Sequence, residues 1–185
     1  MANVQTLVLI RHAEKPPSVG VPFGVDETGR IDPHNLTVKG WQRAGALTQW
    51  FISGRPDFRI ARPTALFATA TTADSPSTRC FSTLKPLALA LRLSIDDSFE
   101  RDDANQLARE LARHAGTIVV AWEHNALPTL ARAIVGASCP NVPRAWPDER
   151  FDIAWVITRD SSGALGFAQI AQLLLEGDSS EVIAL

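Results

Sequence analysis

The stretch "LVLIRHAEKP", Leu7 to Pro16, runs four apolar residues directly into arginine, histidine, glutamate and lysine. A short, continuous apolar run of this kind reads as a strand buried on both faces. Charged side chains then stand at its carboxyl end, the edge where open α/β sheets hold their ligands. Whether Arg11 and His12 form a site there depends on what the rest of the chain delivers to the same edge.

Three further runs have the same character: "TALFAT" (Thr64–Thr69), "TIVVAW" (Thr117–Trp122) and "IAWVIT" (Ile153–Thr158). "ALGFAQI" (Ala164–Ile170) follows the last across the turn-like "RDSSG" and reads as its hairpin partner. Helical segments lie between the runs. Val38–Ser53 places Trp41, Ala44, Leu47 and Phe51 at helical spacing, behind Thr37 as an N-cap. Ser77–Leu93 starts after Ser75-Pro76, and Pro86 is expected to bend or break it. Asn105–Gly116 is amphipathic through Leu107, Ala108 and Leu111, with Gly116 as its stop. Leu127–Gly136 carries Pro128 in its first turn. Alternating strands and helices imply an α/β fold, a mainly parallel sheet with helices on both faces. The 185 residues suit one domain spanning 1–185.

Composition narrows the partners. The formal net charge is -2, and no basic run marks nucleic acid or an anionic membrane as a partner. Any anion site must be local. No apolar run approaches the ~18 residues of a membrane span. The apolar "LVLI" is too short for a signal peptide, so the expected location is cytoplasmic. Cys80 and Cys139 read as reduced thiols without metal-type spacing. No pattern speaks to the oligomeric state. Two stretches fit no element: Lys15–Asn35, rich in proline and glycine, and Ser138–Asp152. Unstructured stretches of this length are usually functional or disordered, and both are expected to rim a site. Trp41 and Trp50 read as core, Trp122 and Trp146 as bordering the site.

Three strand tips end in groups suited to an anion. The first carries Arg11-His12, the second leads to Ser75 and Arg79, and the third carries Glu123-His124-Asn125. Arginine grips phosphate oxygens with a planar fork and keeps its charge. A helix N-terminus adds backbone donors. A neutral imidazole can attack phosphorus and form a phosphohistidine that water cleaves. The arginines and the second histidine then stabilise charge on the phosphoryl oxygens. Basic neighbours lower the histidine pKa and keep it unprotonated. Read as metal ligands, His12 and Glu14 or Glu123 and His124 match no metal spacing, and the adjacent arginines would repel a dication. His34 reads as a loop histidine, and His114 as a helix C-terminal one that favours the dipole.

At these residues the chain resembles the histidine phosphatase superfamily, in its phosphoglycerate-mutase-like branch. "LVLIRHAEKP" is similar to the family's Arg-His-Gly signature, with Ala13 at the glycine. "LTVKGWQRAGAL" (Leu36–Leu47) is similar to its next block. "SPSTRCFSTLKPLA" (Ser75–Ala88) matches Ser-Pro-x-x-Arg-x-x-x-Thr-x-x-Pro-Leu-Ala, and "IVVAWEHNALP" (Ile118–Pro128) resembles the strand delivering the second histidine. The resemblance implies a three-layer α/β/α sandwich around a mostly parallel sheet. It implies His12 as the phosphorylated nucleophile, Arg11, Arg79 and His124 as the phosphate pocket, and no metal or other cofactor. Lys15, Ser75 and Asn125 are the expected substrate contacts.

The general acid stays open. Asn125 stands where the acid-phosphatase branch carries a proton-donating aspartate. In the mutase-like branch a glutamate some way after the second arginine donates, and here that region reads "DDSFERDD" (Asp96–Asp103) without the mutase consensus. Glu100, Asp102 and Asp103 lie in it. Glu123 qualifies if the strand has already ended, and Glu14, two positions from His12, can share its face. The expected function is a metal-independent phosphatase acting on a small phosphorylated substrate or a phosphoprotein, phosphohistidine included. The alternatives are a non-catalytic phospho-ligand binder and, with no second basic cluster in view, a phosphoglycerate-type mutase.

Overall fold

Strands buried on both faces alternate their side chains between two cores. A computed structural model describes residues 4–54, 60–139 and 141–185. Its strands are β1 (Gln5–Arg11), β2 (Ala65–Thr69), β3 (Ile95–Phe99), β4 (Gly116–Trp122), β5 (Ile153–Arg159) and β6 (Leu165–Ala171). The helices are α1 (Val38–Ser53), α2 (Arg79–Leu91), α3 (Ala104–Leu111) and α4 (Leu127–Val135). The strands form one sheet in the order β3-β2-β4-β1-β5-β6. Pairings are parallel from β3 through β1 and antiparallel for β1–β5 and β5–β6. Leu7, Leu9, Val120 and Trp155 face one core with α3 and α4; Val8, Ile10, Ala121 and Val156 face the other with α1 and α2. This is the expected three-layer sandwich, and its period-two split explains why the strands read as unbroken apolar runs.

Helix α1 has the expected bounds, and the Thr37 hydroxyl accepts from the Gly40 N–H as the expected cap. The structure departs from the sequence reading at five points. The acidic run holds β3, an edge strand that pairs only with β2 and leaves Asp96, Asp97 and Ser98 exposed. A strand with one neighbour and little burial has no apolar signature to read. Helix α2 begins at Arg79, two residues later than expected, and it runs through Pro86 unbroken. Burial of Leu84 and Leu87 on either side of the proline, at about 1.5–3 kcal/mol each, offsets a proline cost of about 3 kcal/mol. Gly116 opens β4 at φ 81° and does not end α3, which stops at Leu111. Trp122 and Trp146 are both buried in the α3/α4 core.

Neither irregular stretch forms an α-helix or a strand of the sheet, although residue 140 lies outside the described residues. Lys15–Asn35 is nonetheless braced. Val25 N–H donates to Leu36 at 2.8 Å, Asp32 N–H to Gly24 at 2.9 Å, and the Trp41 indole N–H to the Val25 carbonyl at 2.9 Å. Glu27 pairs with Lys85 of α2. Trp41 is thus a half-buried pin for this loop.

Candidate active site

The tip of β1 is seated on the first turns of two helices. The Glu14 carbonyl accepts from the Thr37 N–H at 2.9 Å and the Thr37 hydroxyl at 3.2 Å. A Cβ on Gly40 would stand 2.4 Å from that same carbonyl oxygen, so only glycine lets α1 approach so closely. On the α2 side, the Ala13 N–H donates to the Thr83 hydroxyl at 2.8 Å, which donates to the Arg79 carbonyl at 2.7 Å. Thr37, Gly40 and Thr83 therefore hold the backbone that carries His12.

His12 is 4% exposed. Its Nδ1 lies 2.8 Å from the Ala13 carbonyl, an acceptor only. Nδ1 therefore carries the proton and Nε2 keeps a lone pair. Burial, followed by the charges of Arg11, Arg79 and Lys15, pushes the imidazole down to about 3 against the pull of that backbone hydrogen bond. A buried histidine that stays neutral at physiological pH is equipped as a nucleophile.

Arg11 is buried under the segment after residue 146. Its Nη1 donates to the carbonyls of Pro147 and Arg150, both at 3.3 Å, and to that of Asp148. Its guanidinium carbon lies 3.9 Å from the centre of the Phe151 ring. Nε and Nη2 are buried and have no hydrogen-bond partner among the described residues. Burial pulls Arg11 down to about 10, partly offset by Asp148, so it stays charged at neutral pH. A charged fork with two buried, unpaired donors is one half of an anion site.

Arg79 opens α2 and is tied to the Lys15–Asn35 loop. Its Nη2 donates to the Pro33 carbonyl at 2.7 Å and its Nε to Asn35 at 3.4 Å. Burial lowers its pKa, opposed by Cys80, Glu123 and Asp32. Lys15 and Arg79 line a recess of about 550 Å³ walled by Pro16, Pro17, Phe23, Ile31 and Pro33. His124 follows β4, and its Nε2 meets the Asp148 carboxylate. Burial and then Arg11 lower its pKa, while Asp148 opposes them.

The fold thus gathers Arg11, His12, Lys15, Arg79 and His124 at one edge of the sheet. Ser75 and Asn125 line two other recesses. Ser75 shares a recess of about 250 Å³ with Glu100 and Asp102, and Asn125 one of about 340 Å³ with Arg101 and Thr129. Glu123 lies past the end of β4, as its role would require, 3.9 Å from Arg101. Glu14 is placed otherwise than expected. Both its oxygens accept from Arg43, at 2.9–3.1 Å, and Arg43 also binds Asp178 and Gln172. Asp148, Phe151 and the Arg43–Asp178 pair escaped the sequence reading. The only signal for the first two was their place in an irregular stretch with the local run "WPDERFD" (Trp146–Asp152).

The backbone matches solved structures over nearly its whole length. The protein histidine phosphatase SixA, in a complex with tungstate, is 16% identical, with a TM-score of 0.59 over 90% of this chain and 97% of that one. The chain has the fold of the histidine phosphatase superfamily. A Plasmodium falciparum phosphoglycerate mutase shares this histidine phosphatase fold at 8% identity, with a TM-score of 0.51 over 98% of this chain and 99% of that one. A phosphoglycerate mutase from Bacillus anthracis str. Sterne matches at 13% identity, with a TM-score of 0.51, over 91% and 93%. No family model matches the chain, and no curated protein matches it in sequence. Among the described residues no helix is long and apolar enough to cross a membrane, and no group of three His, Cys, Asp or Glu side chains is placed to hold a metal ion.

Proposed function

We propose that this chain is a phosphatase that hydrolyses phosphomonoesters, or phosphohistidine, through a phosphohistidine on His12. The observation that carries the reading is the pairing of a neutral, tautomer-locked imidazole with the unpaired donors of a buried arginine. His12 Nε2 attacks phosphorus, and the bond to the leaving oxygen breaks. Arg11, Arg79 and His124 stabilise the charge on the phosphoryl oxygens as it develops. Water then attacks the phosphohistidine and releases phosphate. The SixA structure, whose protein is a histidine phosphatase, supports the same chemistry on this fold.

The recess beside Arg79 takes the rest of the substrate. Its walls carry Phe23, Ile31 and three prolines, with Lys15 as a second cation. It is much larger than a phosphate and suits a leaving group with an apolar body.

The test is hydrolysis of an aryl phosphate in EDTA by the wild type and by His12→Ala. An aryl leaving group needs little protonation, so activity does not depend on knowing the acid. Wild-type turnover that His12→Ala abolishes, with an acid-labile phosphoryl-protein trapped only in the wild type, supports the reading. Equal turnover by both proteins overturns it.

A further inference from the structure

The carboxylates near the two histidines differ in what they face. Glu14 is consumed by Arg43. Glu123 faces Arg101. Among the carboxylates of the described residues, Asp148 alone touches the ring of a site histidine, with its oxygen on His124 Nε2. Its side chain is 81% exposed, so the carboxyl group stands at the solvent edge of the site.

The backbone beneath Asp148 is fixed. Its carbonyl accepts from Arg11. The Arg150 N–H closes a turn onto Pro147 at 3.2 Å, the Trp146 indole donates to the Arg150 carbonyl at 2.8 Å, and Arg150 pairs with Asp152 at 2.7 Å. The Asp148 side chain itself stands exposed above this backbone. A phosphoryl group held by Arg11 and His124 must come up against it. Two anions facing one imidazole repel unless a proton lies between them. The other charges around His124 are the cations Arg11 and Lys15, which draw in the phosphoryl group itself.

We propose that Asp148 is the general acid, entering the substrate complex as a carboxylic acid beside His124 and giving its proton to the leaving oxygen. The proposal rests on the phosphatase reading above. The His12 Nε2 lone pair forms the N–P bond. The P–O bond breaks, and its electron pair stays on the leaving oxygen, which takes the Asp148 proton. In the second half Asp148 carboxylate takes a proton from the attacking water, and the P–N electron pair returns to Nε2.

Asp148→Asn is the decisive variant, assayed on an alkyl phosphate and on p-nitrophenyl phosphate. Loss of a positioned acid should lower kcat/KM on the alkyl ester by about 10²–10⁴ and on the aryl ester by less than about tenfold. Equal losses on both would mean that Asp148 only positions His124, and would overturn the proposal. So would unchanged rates with tighter inorganic phosphate binding, the mark of a carboxylate that merely competes for the pocket. If the wild type hydrolyses neither ester, the phosphatase reading fails and calorimetry still decides the proton. Sulfate is titrated into both proteins in buffers of different ionisation enthalpy. About one more proton taken up by the wild type supports the shared proton; equal uptake refutes it.

Discussion

Glu14 and Asp148 are the two carboxylates closest to the site histidines by different measures. Glu14 is two residues from His12 in sequence, yet its side chain is 13% exposed and both oxygens are held by a buried arginine. Asp148 comes two dozen residues after His124, outside any helix or strand, yet it touches the imidazole. Nearness in sequence places a backbone, whereas the partner packed behind it decides where the side chain goes. Behind the β1 tip stands Arg43, so Glu14 serves the fold. Beneath Asp148 stand carbonyls and a tryptophan, so its carboxylate is left for the site.

Stability should separate the two most sharply. Arg43→Met leaves Glu14 and Asp178 buried without their cation and is expected to cost about 3–5 kcal/mol in urea unfolding. Asp148→Asn, at an exposed pair, should cost no more than about 1 kcal/mol. Similar costs for both would erase the contrast.

The seat of His12 comes next. Thr83→Val removes the acceptor of the Ala13 N–H and is expected to cost about 1–3 kcal/mol, with aryl phosphatase activity falling alongside. Wild-type stability and activity in this variant would mean that α2 does not position the tip.

The pH dependence of stability is the sharpest in sign. His12 stays neutral when folded down to pH about 3, whereas an unfolded histidine takes a proton near pH 6.5. Between those values the unfolded chain binds the extra proton. Stability present above pH 6.5 is therefore lost on acidification, by up to about 1.4 kcal/mol per pH unit for this one group. His12→Asn should flatten that decline above pH ~5, before carboxylates titrate. Asp178 acts lower down. Burial alone would raise it, but the hydrogen bonds from Arg43 and the Leu174 and Leu175 N–H groups outweigh burial and hold it below the usual carboxylate range. Its contribution is present above the unfolded carboxylate pKa and is lost as pH falls through its own. A slope unchanged by His12→Asn would show that His12 is not buried neutral.

The strands were legible because burial on two faces writes itself as a continuous apolar run, and α1 because its periodicity and its Thr37 cap agree. β3 was not, since an edge strand with exposed Asp96 and Asp97 has no such run. The motif residues Arg11, His12, Arg79 and His124 were legible as strand-tip groups with a family resemblance. The block from Leu36 to Leu47 was legible as a helix, but its task was hidden. Thr37, Gly40 and Arg43 recur along one side of α1, and all three meet Glu14.

The sequence by itself determined the layered α/β plan and the residue types at the strand tips, because periodicity and local turn chemistry act over a few residues. Only the tertiary structure decided which donors of Arg11 stay unpaired, that Arg43 consumes Glu14, and that Asp148 meets His124. These are contacts between side chains far apart along the chain, and their directions follow from packing that no local pattern encodes.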